Sequence, residues 1–95
     1  MYRALGDRLG IASAIEGLAA LAASMGQPER ALELVGAATA LREAIQAPIA
    51  GPDKERLERY LGPAREALGP KAAAAAAKGG RLSPDEAIGL ALEGL

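Results

Sequence analysis

The chain has no histidine and no cysteine. The first absence removes the usual proton-transfer side chain near neutral pH and the commonest metal ligand. The second removes disulfides and thiol chemistry and fits a reducing compartment. Phenylalanine and tryptophan are missing too, and only two tyrosines stand among 95 residues, so the 51% hydrophobic fraction comes mainly from Ala, Leu, Ile and Val. One small domain of this length buries only ~60–65% of its unfolded surface. Close helix approach through alanine, near the short end of the usual ~8–10 Å range, has to compensate. Neither sign of charge dominates: 11 basic and 12 acidic residues leave a net −1, which supplies no field to draw nucleic acid or an acidic membrane. Apolar stretches are broken by Glu, Arg, Gln or Gly before the ~18–20 residues of a membrane span. The opening MYRALGDR lacks the basic-then-apolar order of a signal peptide. A cytoplasmic chain with no membrane partner is expected.

The hydrophobic pattern is helical throughout, and the expected fold class is all-α. Tyr2 to Leu5 reads as the last turn of a preceding helix, with Gly6 as its stop and Asp7 as the next N-cap. Ile11, Ile15, Leu18 and Ala22 then recur at three-to-four spacing, Leu21 and Met25 widening the stripe, up to a stop at Gly26. Pro28 suits the first turn of a second helix, whose stripe is Ala31, Leu34, Val35, Ala38, Leu41 and Ile45. The two should pack antiparallel across a short turn. Pro48, Gly51 and Pro52 make 47–52 a loop. From Asp53 to Leu68 the period resumes through Leu57, Tyr60, Leu61, Ala64 and Leu68, with Pro63 predicting a kink or two abutting helices and Tyr60 read as a core contact ahead of an exposed interaction anchor. Ala72 to Ala77 favours helix but offers little area for docking. Ser83, Pro84 and Glu86 predict a capping box at the start of a last helix.

Leu18, Gly26, Ala31 and Ala38 fall on small and apolar positions of the tetratricopeptide consensus, and Ala19 sits where that consensus has Gly. Ile15, Ala22 and Val35 stand at its larger positions. The chain as a whole predicts one antiparallel, right-handed tetratricopeptide-like (TPR-like) hairpin over 1–46 with a remnant of a preceding helix, a loop at 47–52, and a C-terminal helical cap over 53–95, all in one domain. GIASAIEGLAALAASMGQPERALELVGAATALREAI, then a Pro-containing loop, AREALG, an Ala-rich helix and GGRLSPDEAIGLAL, resembles the C-terminal tetratricopeptide-like region of bacterial predicted ATPases and LuxR-family multidomain transcriptional regulators. That resemblance implies a helical scaffold without catalytic residues. Relatives carry aromatics where this chain has Ala72 to Ala77, which leaves that helix either mobile or docked loosely on Leu68 and Leu82.

No residue set rises to a reaction centre. Gly79, Gly80 and Arg81 lack the strand and Lys-Ser pair of a phosphate loop and read as a helix terminator. Glu55 and Glu58 share a solvated face rather than a pocket. Arg56, Arg59 and Arg65 are interleaved with Glu55, Glu58 and Glu66, which favours ion pairing over nucleic-acid contact. The expected role is a noncatalytic, self-associating interaction or assembly module, with a homodimer through Tyr2, Leu5, Leu9 and Ile11 as its first form. The alternative is a regulatory C-terminal fragment of a signal-transduction ATPase or transcription regulator. Neither requires a cofactor, a metal, a nucleic acid or a small-molecule substrate.

Overall fold

A turn of three residues sets the architecture. In the computed structural model, which describes residues 5–93, helix α1 (Leu5–Ser24) ends where Gly26 takes φ 74°. The Gly26 amide donates to the Ala23 carbonyl at 3.2 Å and the Gln27 amide to Ala22 at 2.9 Å, the paired bonds that close a helix through a left-handed residue. Helix α2 (Pro28–Ala44) starts at once, with Pro28 in its first turn and Glu29 at the positive end of its dipole. It runs back antiparallel along α1. Its own end repeats the device without glycine: Gln46 takes φ 54°, while Gln46 donates to Glu43 and Ala47 to Arg42 at 3.2 and 2.9 Å. A non-glycine residue there costs about 1–2 kcal/mol, which the two closing bonds offset.

Helix α3 (Gly51–Leu68) is followed by a 3-10 turn (Gly69–Lys71), helix α4 (Ala72–Gly79) and helix α5 (Pro84–Glu93). The described residues contain helices and turns and no strand. The molecule is an all-α bundle with α2 at its centre, packed against α1, α3, α4 and α5. Ile15, Leu32, Leu34 and Leu61 are its largest fully buried side chains, and alanines fill most of the remaining core. The expected hairpin stripe is present. Ile15, Ala22, Ala31, Leu34, Val35 and Ala38 are buried, and Ile11 and Leu18 pack beside them half-covered.

Several expectations are corrected. Gly6 and Asp7 lie inside α1 instead of separating two helices; the remnant helix expected at Tyr2 falls mostly outside the described residues. α3 begins at Gly51, two residues before the predicted start, with extended Ala50 as its N-cap. It passes through Pro63 as one helix. Pro63 is exposed, so the hydrogen bond it deletes lies toward water. Leu21 and Met25 do not widen the buried stripe: they are 42% and 49% exposed. Tyr60 is 46% exposed rather than in the core. The Ser83 capping box forms as predicted, Glu86 N–H donating to Ser83 Oγ at 3.1 Å and Ser83 N–H to Glu86 Oε1 at 2.8 Å.

Docking of the Ala-rich helix differs from expectation in kind. Leu68 and Leu82 do pack against the core, but α4 is seated on α2 by glycines. A Cβ built on Gly36 would overlap the Ala76 carbonyl, and one on Gly79 would overlap the Glu33 carbonyl. Backbone meets backbone here, which only residues without a side chain allow.

Candidate interaction surface

From Leu9 to Gln27 the sequence holds a single charged residue, Glu16. Its side chain turns inward, 11% exposed, where the Arg42 guanidinium of α2 grips it through Nε to Oε2 at 2.6 Å and Nη2 to Oε1 at 2.8 Å. Arg42 also donates through Nη1 to the Ala47 carbonyl at 3.0 Å and through Nη2 to Ser13 Oγ at 3.3 Å. One guanidinium thereby ties α1, α2 and the following loop together. Hydrogen bonding to Glu16 holds its pKa above the usual arginine value, against the opposing effect of burial.

With Glu16 withdrawn, the outward face of α1 is uncharged for ~25 Å, the length of Leu9 to Met25 at helical rise. Exposed Leu9, Gly10, Ser13, Ala14, Gly17, Leu21, Ser24 and Met25 make it up. Gly10 and Gly17, seven residues apart and so ~20° apart around the helix, lie at its middle. A Cβ on either would meet no atom of the described residues within 4 Å. The outward face of α3 is the opposite in character: Lys54, Glu55, Arg56, Glu58 and Arg59 are exposed, Arg56 pairs with Asp53, and Arg65 with Glu58.

Beside this α1 face runs a cleft of about 330 Å³, floored by Ser13, Gly17 and Ala20 and walled by Arg56, Leu57 and Tyr60 of α3. Tyr60 is therefore a rim residue. Of the sequence-predicted interface, Leu9 is exposed at the edge of the uncharged face. Ile11 lies about 200° around the helix from it, half-buried in a second cleft with Arg8, Ala37, Leu41, Leu82 and Pro84. Leu5 opens α1; Tyr2 and the side chain of Leu5 lie outside the described residues. The structure does not gather Leu9 and Ile11 on one face.

A larger groove, about 950 Å³, lies between α2, α3 and α4 over Val35, Thr39, Ile49 and Ala76. Among the described residues no group of three or more acidic side chains could hold a metal ion, and no helix is long and apolar enough to cross a membrane. Sequence reasoning named Leu9 but missed Gly10, Ala14 and Gly17. The signal was the missing charge between Leu9 and Gln27, not any apolar stripe. Comparison with protein-family models, with curated proteins and with solved structures returns no match.

Proposed function

We propose that this chain is a noncatalytic helical module that works by association, and that the outward face of α1 is where a second copy docks. The observation that carries this reading is the uncharged face itself. A surface helix ordinarily sets charged residues on its solvent side, and the side of α1 left open by α2, α3 and α5 has none from Leu9 to Ser24. Gly10 and Gly17 add support: a mid-helix glycine costs roughly 0.5–1 kcal/mol relative to alanine, and nothing among the described residues requires either. A neighbouring helix lying close across them would. Exposed Leu21 and Met25 supply the apolar area such a contact needs.

A TPR-like arrangement fits the same observation, since stacked hairpins cover one another along their first helices. On the regulator reading, favoured by the resemblance that runs from Leu5 through GGRLSPDEAIGLAL, the same α1 face receives the preceding hairpin of a longer protein. Sedimentation equilibrium over a concentration series tests the self-docking reading. The expected result is a dimer that Ala14→Glu converts to monomer while helical circular dichroism and melting stay near those of the parent. A parent chain that remains monomeric at all concentrations refutes self-docking.

A further inference from the structure

Helix α4 is held in an unusual way. Of its six alanines only Ala75 is buried, and Gly79 is buried with it. Its seat on α2 is the backbone contact at Gly36 and Gly79, so little side-chain area resists its departure. Apart from the adjoining 3-10 turn, its packing is overwhelmingly on α2, with minor contact to α3. Gly69, at φ 56°, and Gly80 stand at the two ends of the segment. Beneath its C-terminal turn sits Glu33, only 6% exposed, whose backbone carbonyl is the atom Gly79 approaches.

The charged groups acting on the Glu33 carboxyl are Lys78 from α4 and Glu29 from the preceding turn of α2. Lys78 Nζ stands 3.7 Å from Glu33 Oε2, beyond a hydrogen bond, and its own side chain is 65% exposed. Compensation is therefore incomplete. We propose that α4 is a flap, jointed at Gly69 and Gly80, whose closure on α2 tightens as the medium acidifies, with Glu33 as the proton-sensing group and the groove between α2, α3 and α4 as the surface that opening enlarges.

The direction follows from the chemistry of burial. Closing α4 removes water from Glu33, and this desolvation raises its pKa; the repulsion of Glu29 adds to the rise and Lys78 opposes it. A carboxyl whose pKa is higher closed than open binds a proton more tightly in the closed state. Closure is then favoured below the ordinary carboxylate value, and the advantage is lost as pH rises through the closed-state value. Above the closed-state value the flap docks over a charged Glu33 carboxylate, which opposes its closure.

Amide hydrogen exchange, read by mass spectrometry on peptides covering α4 and corrected for intrinsic rate, tests this at pH 5 and pH 7.5. Protection of α4 is expected to be severalfold higher at pH 5, with no matching change in α1. Glu33→Gln should raise α4 protection at pH 7.5 and abolish its dependence on pH. Lys78→Met, which removes the compensating cation, should widen the pH dependence. The proposal fails if parent α4 shows equal corrected protection at both pH values, if the dependence survives Glu33→Gln, or if α1 follows it to the same extent.

Discussion

Arg42 shows how much of this fold rests on a single side chain. Its side chain is largely covered, spends donors on Glu16, Ser13 and the Ala47 carbonyl, and so links α1 to the loop that launches α3. Its exposure of 12%, with Glu16 at 11%, places the pair among those for which losing one partner is costly and losing both is cheap. Arg42→Met leaves the largely covered Glu16 carboxylate without its partner and is expected to destabilise the chain by about 3 kcal/mol. The double variant Glu16→Leu/Arg42→Met is expected to be more stable than Arg42→Met alone. Urea denaturation of the parent, both single variants and the double variant checks this as a coupling energy. A double variant no more stable than Arg42→Met would show that the Ala47 and Ser13 bonds carry most of the stabilisation. The pair spans 26 residues of sequence, and nothing in local pattern predicts it: Glu16 interrupts a long uncharged stretch and reads simply as a break in the apolar run.

At the scale of elements, the glycines divide into those the chain uses internally and those it does not. Gly36 and Gly79 permit the α2–α4 crossing, and alanine at either drives a methyl into a carbonyl oxygen. Each substitution is expected to cost about 2–3 kcal/mol, in the range of core overpacking, and to release α4 before the rest unfolds. Gly17→Ala on the open face of α1 is expected to stabilise the isolated chain by roughly 0.5–1 kcal/mol. Thermal melts of the three variants at low protein concentration check the contrast, and a destabilising Gly17→Ala would mean that α1 is held by contacts not accounted for. The same elements show what sequence reveals. Gly26–Pro28, the Ser83–Glu86 box and the local charges of α3 were legible because each signal acts within a few residues of itself. The seat of α4 was not, because a mid-helix glycine advertises only a lost propensity and says nothing of the backbone that approaches it. Gln46 hid a left-handed turn for a related reason: its αL geometry is imposed by the bonds of Arg42 and Glu43 carbonyls, not by its own preference. Tyr60 was misread because helical spacing gives direction but not depth, and a core filled with alanine leaves no cavity for a ring.

At the scale of the molecule, a thin alanine core and an uncharged outer helix are two aspects of one composition. Few large side chains are available, and Leu9, Leu21, Met25, Tyr60 and Leu92 are nonetheless spent at the surface. Four of these five lie on α1, on the turn that ends it or on the wall of the cleft beside it. In a two-fold dimer the same patch meets itself, so residues near the middle of the α1 face come close to their own symmetry mates. The absence of native cysteine makes this directly measurable, because a single introduced thiol has no other partner. If the proposed dimer forms, Ser13→Cys, on the face at the border of the cleft, is expected to give a covalent dimer under mild oxidation, whereas Arg59→Cys, on the charged outer face of α3, is expected to stay largely monomeric on non-reducing gels. Cross-linking of equal extent at both positions would reveal only random collision, and preferential cross-linking at Arg59→Cys would move the contact to α3. The favourable outcome would tie the missing charges of α1 to a physical neighbour, since disulfide formation demands Cα atoms within about 7 Å of each other.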